Sequence, residues 1–508
     1  MRILICSNAY PPHFVGGAEL MAHEQAKALV RLGHEVRAFA GSLGLPRPRH
    51  ARMDEEHEGI PVYRIATEPE DYSPEYLNFL HPVVEDHFRD VLQDFQPDIV
   101  HCHNLIGLSV KLPILARQHG AKTVCTLHDF WGFCLRNTAV RADGTPCDNA
   151  AQCRSCLPRI HDGRGLYISM RFRKDFMRLA LEHVDHFIAP SHFVADRYIW
   201  AGMPADRLTV LPNGIDVERF HPSTLSSAPE DGIRITYVGH FDAHKGVATL
   251  LDALPLLNTL PAAVIQLVGE GPEEGAYRAR IAELKLTGQV RFPGKVQPAD
   301  MPDVYARSDI VVLPSVWDEN QPVCLMEAMA SGLPVVASRR GGIPELIEHG
   351  SNGLMFAAGD PRDLALQLAR LITAPALRRA AGLNGRKRVE DFSHDRQAHR
   401  LVDLYTGLPV PSPILSSAAI YATKGNLRRK MVREDKSLTD GRYPERYFMP
   451  REWIADCSAA FRGIVLTGRA WSALRLLGID AVVTLPQPLR NIGKAKRATS
   501  APDRKDLP

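Results

Sequence analysis

Short runs without a polar residue alternate with longer stretches of helical periodicity along the first 400 residues. Ile3-Leu4-Ile5-Cys6 is apolar throughout, as a strand covered on both faces requires. Leu20, Met21, Ala28, Leu29 and Leu32 then recur at helical spacing from about Ala18, and Gly33 stands where a helix C-terminal glycine belongs. Glu35-Val36-Arg37-Ala38-Phe39 predicts the next strand, followed by Asp98–Cys102, Thr123–Leu127 and His186–Ala189. The rhythm restarts at Arg234–Val238 and continues through Val264–Val268, Asp309–Leu313 and Pro334–Ala337. Strands alternating with helices predict parallel, doubly wound sheets of the α/β class. The restart after the turn-rich stretch 220–232 favours two domains over one large sheet. A turn signal, Asn213-Gly214, marks their junction.

Pro409, Pro411 and Pro413 make a stiff linker, and the βα rhythm stops there. The expected organisation is therefore a first α/β domain over 1–212, a second over 213–390, a helix at 391–408 packing back on the first, and an extension at 409–508. Composition changes this picture mainly at the end. The 508 residues are 45% hydrophobic and 23% charged with a net charge of +3, ordinary for a globular chain. Residues 411–508, however, hold 18 Lys/Arg against 9 Asp/Glu, so they carry +9 and leave −6 on the rest. A negative main body argues against nucleic-acid binding. The basic cluster Lys424–Lys430, with Trp471, Leu474 and Leu477 beside Arg469 and Arg475, suits peripheral contact with an anionic membrane face; the plain alternative is a solvated extension. No apolar run reaches the roughly 18 residues of a membrane span, and the first residues read as a strand rather than a signal peptide. The expected location is cytoplasmic.

Three motifs carry candidate chemistry. Gly16-Gly17-Ala18-Glu19 lies between the first strand and its helix, where glycines admit a ligand to the backbone and a helix N-terminus favours an anion. Gly239-His240-Phe241-Asp242-Ala243-His244-Lys245-Gly246 holds the same place in the second domain, and its lysine can pair with a diphosphate. Glu319-Asn320-Gln321-Pro322-Val323-Cys324-Leu325-Met326-Glu327 sets two glutamates eight apart after a strand. The first is expected in the loop and the second about two turns into a helix, turned by roughly 80°. Both can then face the crevice where open α/β sheets bind ligands. Taken singly, each motif could be a tight turn, a surface lysine or solvated helix glutamates.

Together they resemble the retaining GT-B glycosyltransferases of glycosyltransferase family 4. The resemblance covers roughly residues 1–407 and includes Leu211–Asp216, Val268-Gly269-Glu270-Gly271-Pro272, Glu-Ala-Met-Ala-Ser-Gly after Met326, and Gly341-Gly342-Ile343-Pro344-Glu345. It implies the GT-B fold, two Rossmann-like domains with a cleft between them. It also implies transfer of a sugar from a UDP- or GDP-sugar to a saccharide or lipid-linked acceptor in surface polysaccharide or glycolipid synthesis, without a metal in catalysis. The resemblance assigns His128, Glu319 and Lys245 to catalysis, His128 beside the transferred sugar. Gly16, Gly17, Gly239, His240, Lys245, Glu319, Asn320 and Glu327 would hold the donor, with Glu327 on the ribose and Lys245 on the diphosphate. His101 and His103 read as structural. One residue departs from the family: an arginine is usual where this chain has His240, so diphosphate binding leans on Lys245 or on a protonated imidazole. The rival readings are a GT-B nucleotide-sugar epimerase or hydrolase and a non-catalytic binding module.

Apart from these stands Cys134, Cys147, Cys153 and Cys156, C-x12-C-x5-C-x2-C in a turn-rich insertion at 134–156. The last pair has zinc-ligand spacing, and four thiolates suit a structural zinc. An Fe–S cluster, or free or disulfide cysteines, are the alternatives.

Overall fold

The computed structural model describes residues 1–407 apart from 14–15, 74–77, 142–144, 146, 148–155, 157–158, 162–166, 221, 223–231 and 258–262. In chain order the first sheet holds β1 (Arg2–Ser7), β2 (Glu35–Leu43), β3 (Arg52–His57), β4 (Ile60–Thr67), β5 (Ile99–Cys102) and β6 (Lys122–Thr126). A separate ribbon, β7 (Arg159–His161) and β8 (Tyr167–Ser169), comes next, and β9 (His186–Ala189) and β10 (Leu208–Val210) complete the sheet. Its order is β10-β9-β6-β5-β1-β2-β4-β3. All neighbours are parallel except β3 with β4. Ile3, Leu4, Ile5 and Cys6 are wholly buried, as an apolar central strand between two helical layers must be.

The second sheet is parallel throughout: β11 (Ile233–Val238), β12 (Ala263–Val268), β13 (Val290–Gly294), β14 (Ile310–Leu313), β15 (Val335–Ser338) and β16 (Leu354–Phe356), in the order β13-β12-β11-β14-β15-β16. The α/β class and the doubly wound topology expected from the sequence are both present. Each sheet has its own core.

A last helix, His394–Gly407, crosses back to the first sheet. Ala398, Leu401 and Tyr405 enter that sheet's core. Asp395 accepts from Arg31 at 2.7 Å, and the Tyr405 hydroxyl meets His101 Nδ1 at 2.6 Å. Among the described residues no helix is long and apolar enough to cross a membrane.

Candidate functional site

Strand order reverses between β1 and β5 in the first sheet and between β11 and β14 in the second. At such a point the two flanking loops leave in opposite directions and open a crevice above the carboxyl ends of the strands. The Gly16-Gly17 turn follows β1, and His103 follows β5. Gly239–Gly246 follows β11, and Ser315–Glu327 follows β14. Thus the motifs singled out by sequence occupy the two topological switch points.

In the second domain Lys245 Nζ lies 2.8 Å from Glu319 Oε1 and 4.9 Å from the centre of the Trp317 ring. The same carboxylate oxygen accepts from Ser315 Oγ at 2.6 Å and Trp317 Nε1 at 2.8 Å. Burial alone would raise the Glu319 pKa; the Lys245 charge and these three donors outweigh it and hold the carboxyl below its ordinary value. Backbone geometry fixes the lysine. Gly246 has φ +71°, and a Cβ there would lie 2.0 Å from Pro314 O, so only glycine lets the lysine loop touch the loop after β14. Likewise Gly341, at φ +57°, packs its Cα against Glu319, where a Cβ would come within 2.0 Å of the carbonyl oxygen.

The helix carrying the second glutamate begins at Val323, with Pro322 as its N-cap. Glu327 is therefore little more than one turn in, not two. Pro322 disfavours helical conformation at Gln321, so the helix cannot start earlier. Glu327 is partly exposed, yet protein surrounds its carboxyl closely. Burial pushes its pKa up to about 7, against the opposing effects of Tyr305 and Arg219. Its Oε2 accepts from Tyr305 at 2.8 Å.

Gly16 is the N-cap of the helix Gly17–Arg31, and its N–H donates to Glu19 Oε2 at 2.9 Å. A Cβ on Gly17 would lie 3.2 Å from Val323 Cγ2. The first domain's glycine turn therefore abuts the segment between Glu319 and Glu327. Asn320 Nδ2 donates to the carbonyl of His128, and Asn320 Oδ1 is buried and, among the described residues, without a hydrogen-bond partner. His128 follows β6, and its Nε2 lies 2.7 Å from His103 Nδ1. His240 has an exposed side chain; its carbonyl accepts from the Tyr237 hydroxyl at 2.9 Å. The structure thus brings together Gly16, Gly17, His128, Lys245, Glu319, Asn320 and the helix of Glu327.

Sequence reasoning missed several residues that hold this arrangement. Ser315, Trp317 and Tyr305 orient the two glutamates. Glu345, quoted above only as part of a motif, bridges the domains. Its two oxygens accept from the backbone N–H of His192 and Phe193, each at 2.7 Å. Those are the first residues of the helix His192–Trp200. An acidic side chain at a helix N-terminus satisfies unpaired donors and the dipole together. Nothing local to residue 345 announces a partner about 150 residues away.

Of the cysteine cluster, Cys134, Cys147 and Cys156 form no disulfide with one another, and Cys153 lies outside the described residues. The metal-ligating groups that converge among the described residues are His23, His57 and Glu58, and His50, Asp71 and His81. In both the carboxylate already faces a cation, Lys27 at 2.9 Å and Arg49 at 2.5 Å. The basic extension expected to touch a membrane lies outside the described residues.

Comparison with known proteins identifies what this geometry belongs to. The Glycosyltransferase Family 4 model matches residues 15–219 and the Glycosyl transferases group 1 model matches 224–388. The glycogen synthase of Mycobacterium tuberculosis is 25% identical over 419 residues, 80% of this chain and 94% of its own. The N-acetyl-alpha-D-glucosaminyl L-malate synthase of Bacillus anthracis is 24% identical over 418 residues, 80% of this chain and 97% of its own. Among solved structures, sucrose-phosphate synthase from Thermosynechococcus elongatus has a TM-score of 0.63 at 22% identity, over 80% of this chain and 98% of its own. Anabaena HepE, in complex with UDP and glucose, has a TM-score of 0.57 at 21% identity, over 80% of this chain and 100% of its own. These likenesses establish the GT-B fold. The chain is a glycosyltransferase. The Family 4 match falls on the part of the chain that holds the first sheet and the group 1 match on the part that holds the second.

Proposed function

We propose that this enzyme is a retaining glycosyltransferase that moves a sugar from a UDP- or GDP-sugar to a saccharide or lipid-linked saccharide in surface polysaccharide or glycolipid synthesis. The observation that carries the reading is the Lys245–Glu319 pair at one switch point, set against the Gly16-Gly17 turn of the other through Val323. A neighbour of the same fold binds UDP and glucose, and another is a glycosyltransferase involved in lipopolysaccharide biosynthesis. Both fit this substrate class.

In this reading the nucleotide rests on the second domain, with Glu327 on the ribose hydroxyls. The bond between the anomeric carbon and the leaving phosphate oxygen breaks, and the acceptor oxygen bonds to that carbon from the same face. The acceptor's proton passes to the departing phosphate. Lys245 and the helix start after Gly16 offset the negative charge that develops there. With His240 in place of the usual arginine, Lys245 carries most of that work. His128 lines the pocket of the transferred sugar. Four cysteines, Cys134, Cys147, Cys153 and Cys156, would hold a structural zinc in the insertion between β6 and β9, and the basic extension would touch an anionic membrane face on its cytoplasmic side.

A donor screen tests the substrate class. Nucleoside diphosphate release is followed for UDP- and GDP-sugars with and without lipid-linked acceptors. Release that requires an acceptor is the expected outcome. Free sugar formed equally without one would replace this reading with hydrolysis, and no turnover with any donor would overturn it.

A further inference from the structure

Three imidazoles stack behind the site. His101 and His103 have ring centres 4.6 Å apart, and His103 and His128 lie 5.0 Å apart at 15°. His103 joins two partners at once. Its Nε2 is 3.1 Å from Gln25 Oε1, on the helix that starts at the glycine turn, and its Nδ1 is 2.7 Å from His128 Nε2. His101 is closed off separately by Tyr405 and Thr126, at 2.6 and 2.7 Å. Burial lowers the pKa of all three, to about 3 for His101 and about 4 for His128. Each ring is therefore neutral at pH 7 and carries one N–H.

A carbonyl oxygen only accepts, so Gln25 Oε1 requires the His103 proton on Nε2. His103 Nδ1 is then a bare lone pair and can only accept. The proton between the two histidines must accordingly sit on His128 Nε2. His128 Nδ1 is left without a proton and, among the described residues, without a hydrogen bond. Such a nitrogen accepts from a hydroxyl and repels a carboxylate or carbonyl oxygen.

We propose that His103 and Gln25 are positioning residues that lock His128 in the Nε2-protonated form, so that its Nδ1 receives a hydrogen bond from a hydroxyl of the bound sugar. This rests on the glycosyl-transfer reading for the identity of the ligand, but the tautomer itself is a property of the free protein. It also gives His103 a use beyond packing.

The decisive experiment is long-range proton–nitrogen correlation NMR on the full chain labelled with 15N-histidine. The His128 pattern is assigned by its loss in His128→Asn. An Nε2-protonated, Nδ1-bare pattern for His128 is expected. A proton on Nδ1, or a doubly protonated ring, would overturn the proposal whatever the enzyme transfers. Gln25→Met, nearly isosteric, should mix the tautomers and lower kcat/KM about tenfold. An unchanged pattern in Gln25→Met would equally refute the locking role. Since the pattern is read without substrate, a failed donor screen would remove the sugar ligand and leave the tautomer result standing.

Discussion

Replacing Lys245 with Met should turn Glu319 from an asset into a liability, and the size of the change follows from its surroundings. The Glu319 side chain is 8% exposed and that of Lys245 is 20% exposed, so solvent screens the 2.8 Å pair poorly. Removing one partner of a buried pair typically costs about 3–5 kcal/mol, because the other charge stays buried and unpaired. Ser315 and Trp317 still donate to the same oxygen, which places the loss at the lower end, about 3 kcal/mol. In the wild type, the Glu319 pKa is depressed. Its contribution is present above the ordinary value of 4.5 and is lost as pH falls through the folded-state pKa. In Lys245→Met burial takes over, the pKa rises above 4.5, and stability instead declines as pH climbs through that range. Urea unfolding of wild type, Lys245→Met, Glu319→Gln and the double variant, at pH 5 and pH 8, both above the window in which the wild-type contribution is lost, measures the coupling and the decline expected of Lys245→Met. The double variant should be less destabilised than the two single losses summed, by about 2 kcal/mol. Additive losses within about 0.5 kcal/mol, or an unchanged pH trend, would refute the reasoning.

Three further outcomes are expected. Glu327→Gln should weaken nucleotide binding yet be more stable relative to wild type at pH 8 than at pH 5. Burial raises the Glu327 pKa from 4.5 to about 7, so its ionisation costs the folded state up to about 3 kcal/mol as pH rises through that window; a flat difference between the two pH values speaks against it. Glu345→Gln should loosen the contact between the domains, read as faster hydrogen exchange at the amides of His192 and Phe193 with little change in unfolding of the isolated cores; unchanged exchange at those two amides counts against the bridge. Metal analysis of reduced protein should find one zinc per chain, lost in Cys153→Ser, and metal-free wild type removes the zinc loop from the account.

The central strands were legible because parallel strands covered on both faces are uninterrupted apolar runs, as in Ile3–Cys6 and Ile310–Leu313. The edge strands were not. β3 reads Arg-Met-Asp-Glu-Glu-His, a polar sequence held in place by antiparallel pairing to β4 rather than by burial. β16 has only three residues, too few to show a period. The site motifs could be located because a βα turn at a switch point needs glycine, as at Gly246. Their supporting residues depend on the third dimension. Trp317 is an ordinary aromatic until its Nε1 is seen on Glu319. His103 looks like a strand-end histidine until β5 and β6 set it beside His128. The Glu327 helix starts most of a turn later than the motif's spacing suggests, because Pro322 keeps the preceding residue out of helical conformation.

Whether loops from the two sheets form one nucleotide-sugar site is tested most directly by calorimetric titration of UDP and GDP into wild type, Lys245→Ala and Glu327→Ala at matched ionic strength. At least one nucleotide should bind the wild type, and each variant should lose at least about tenfold in affinity, about 1.4 kcal/mol. Wild-type affinity in both variants would mean that the nucleotide sits elsewhere and that this arrangement serves another purpose.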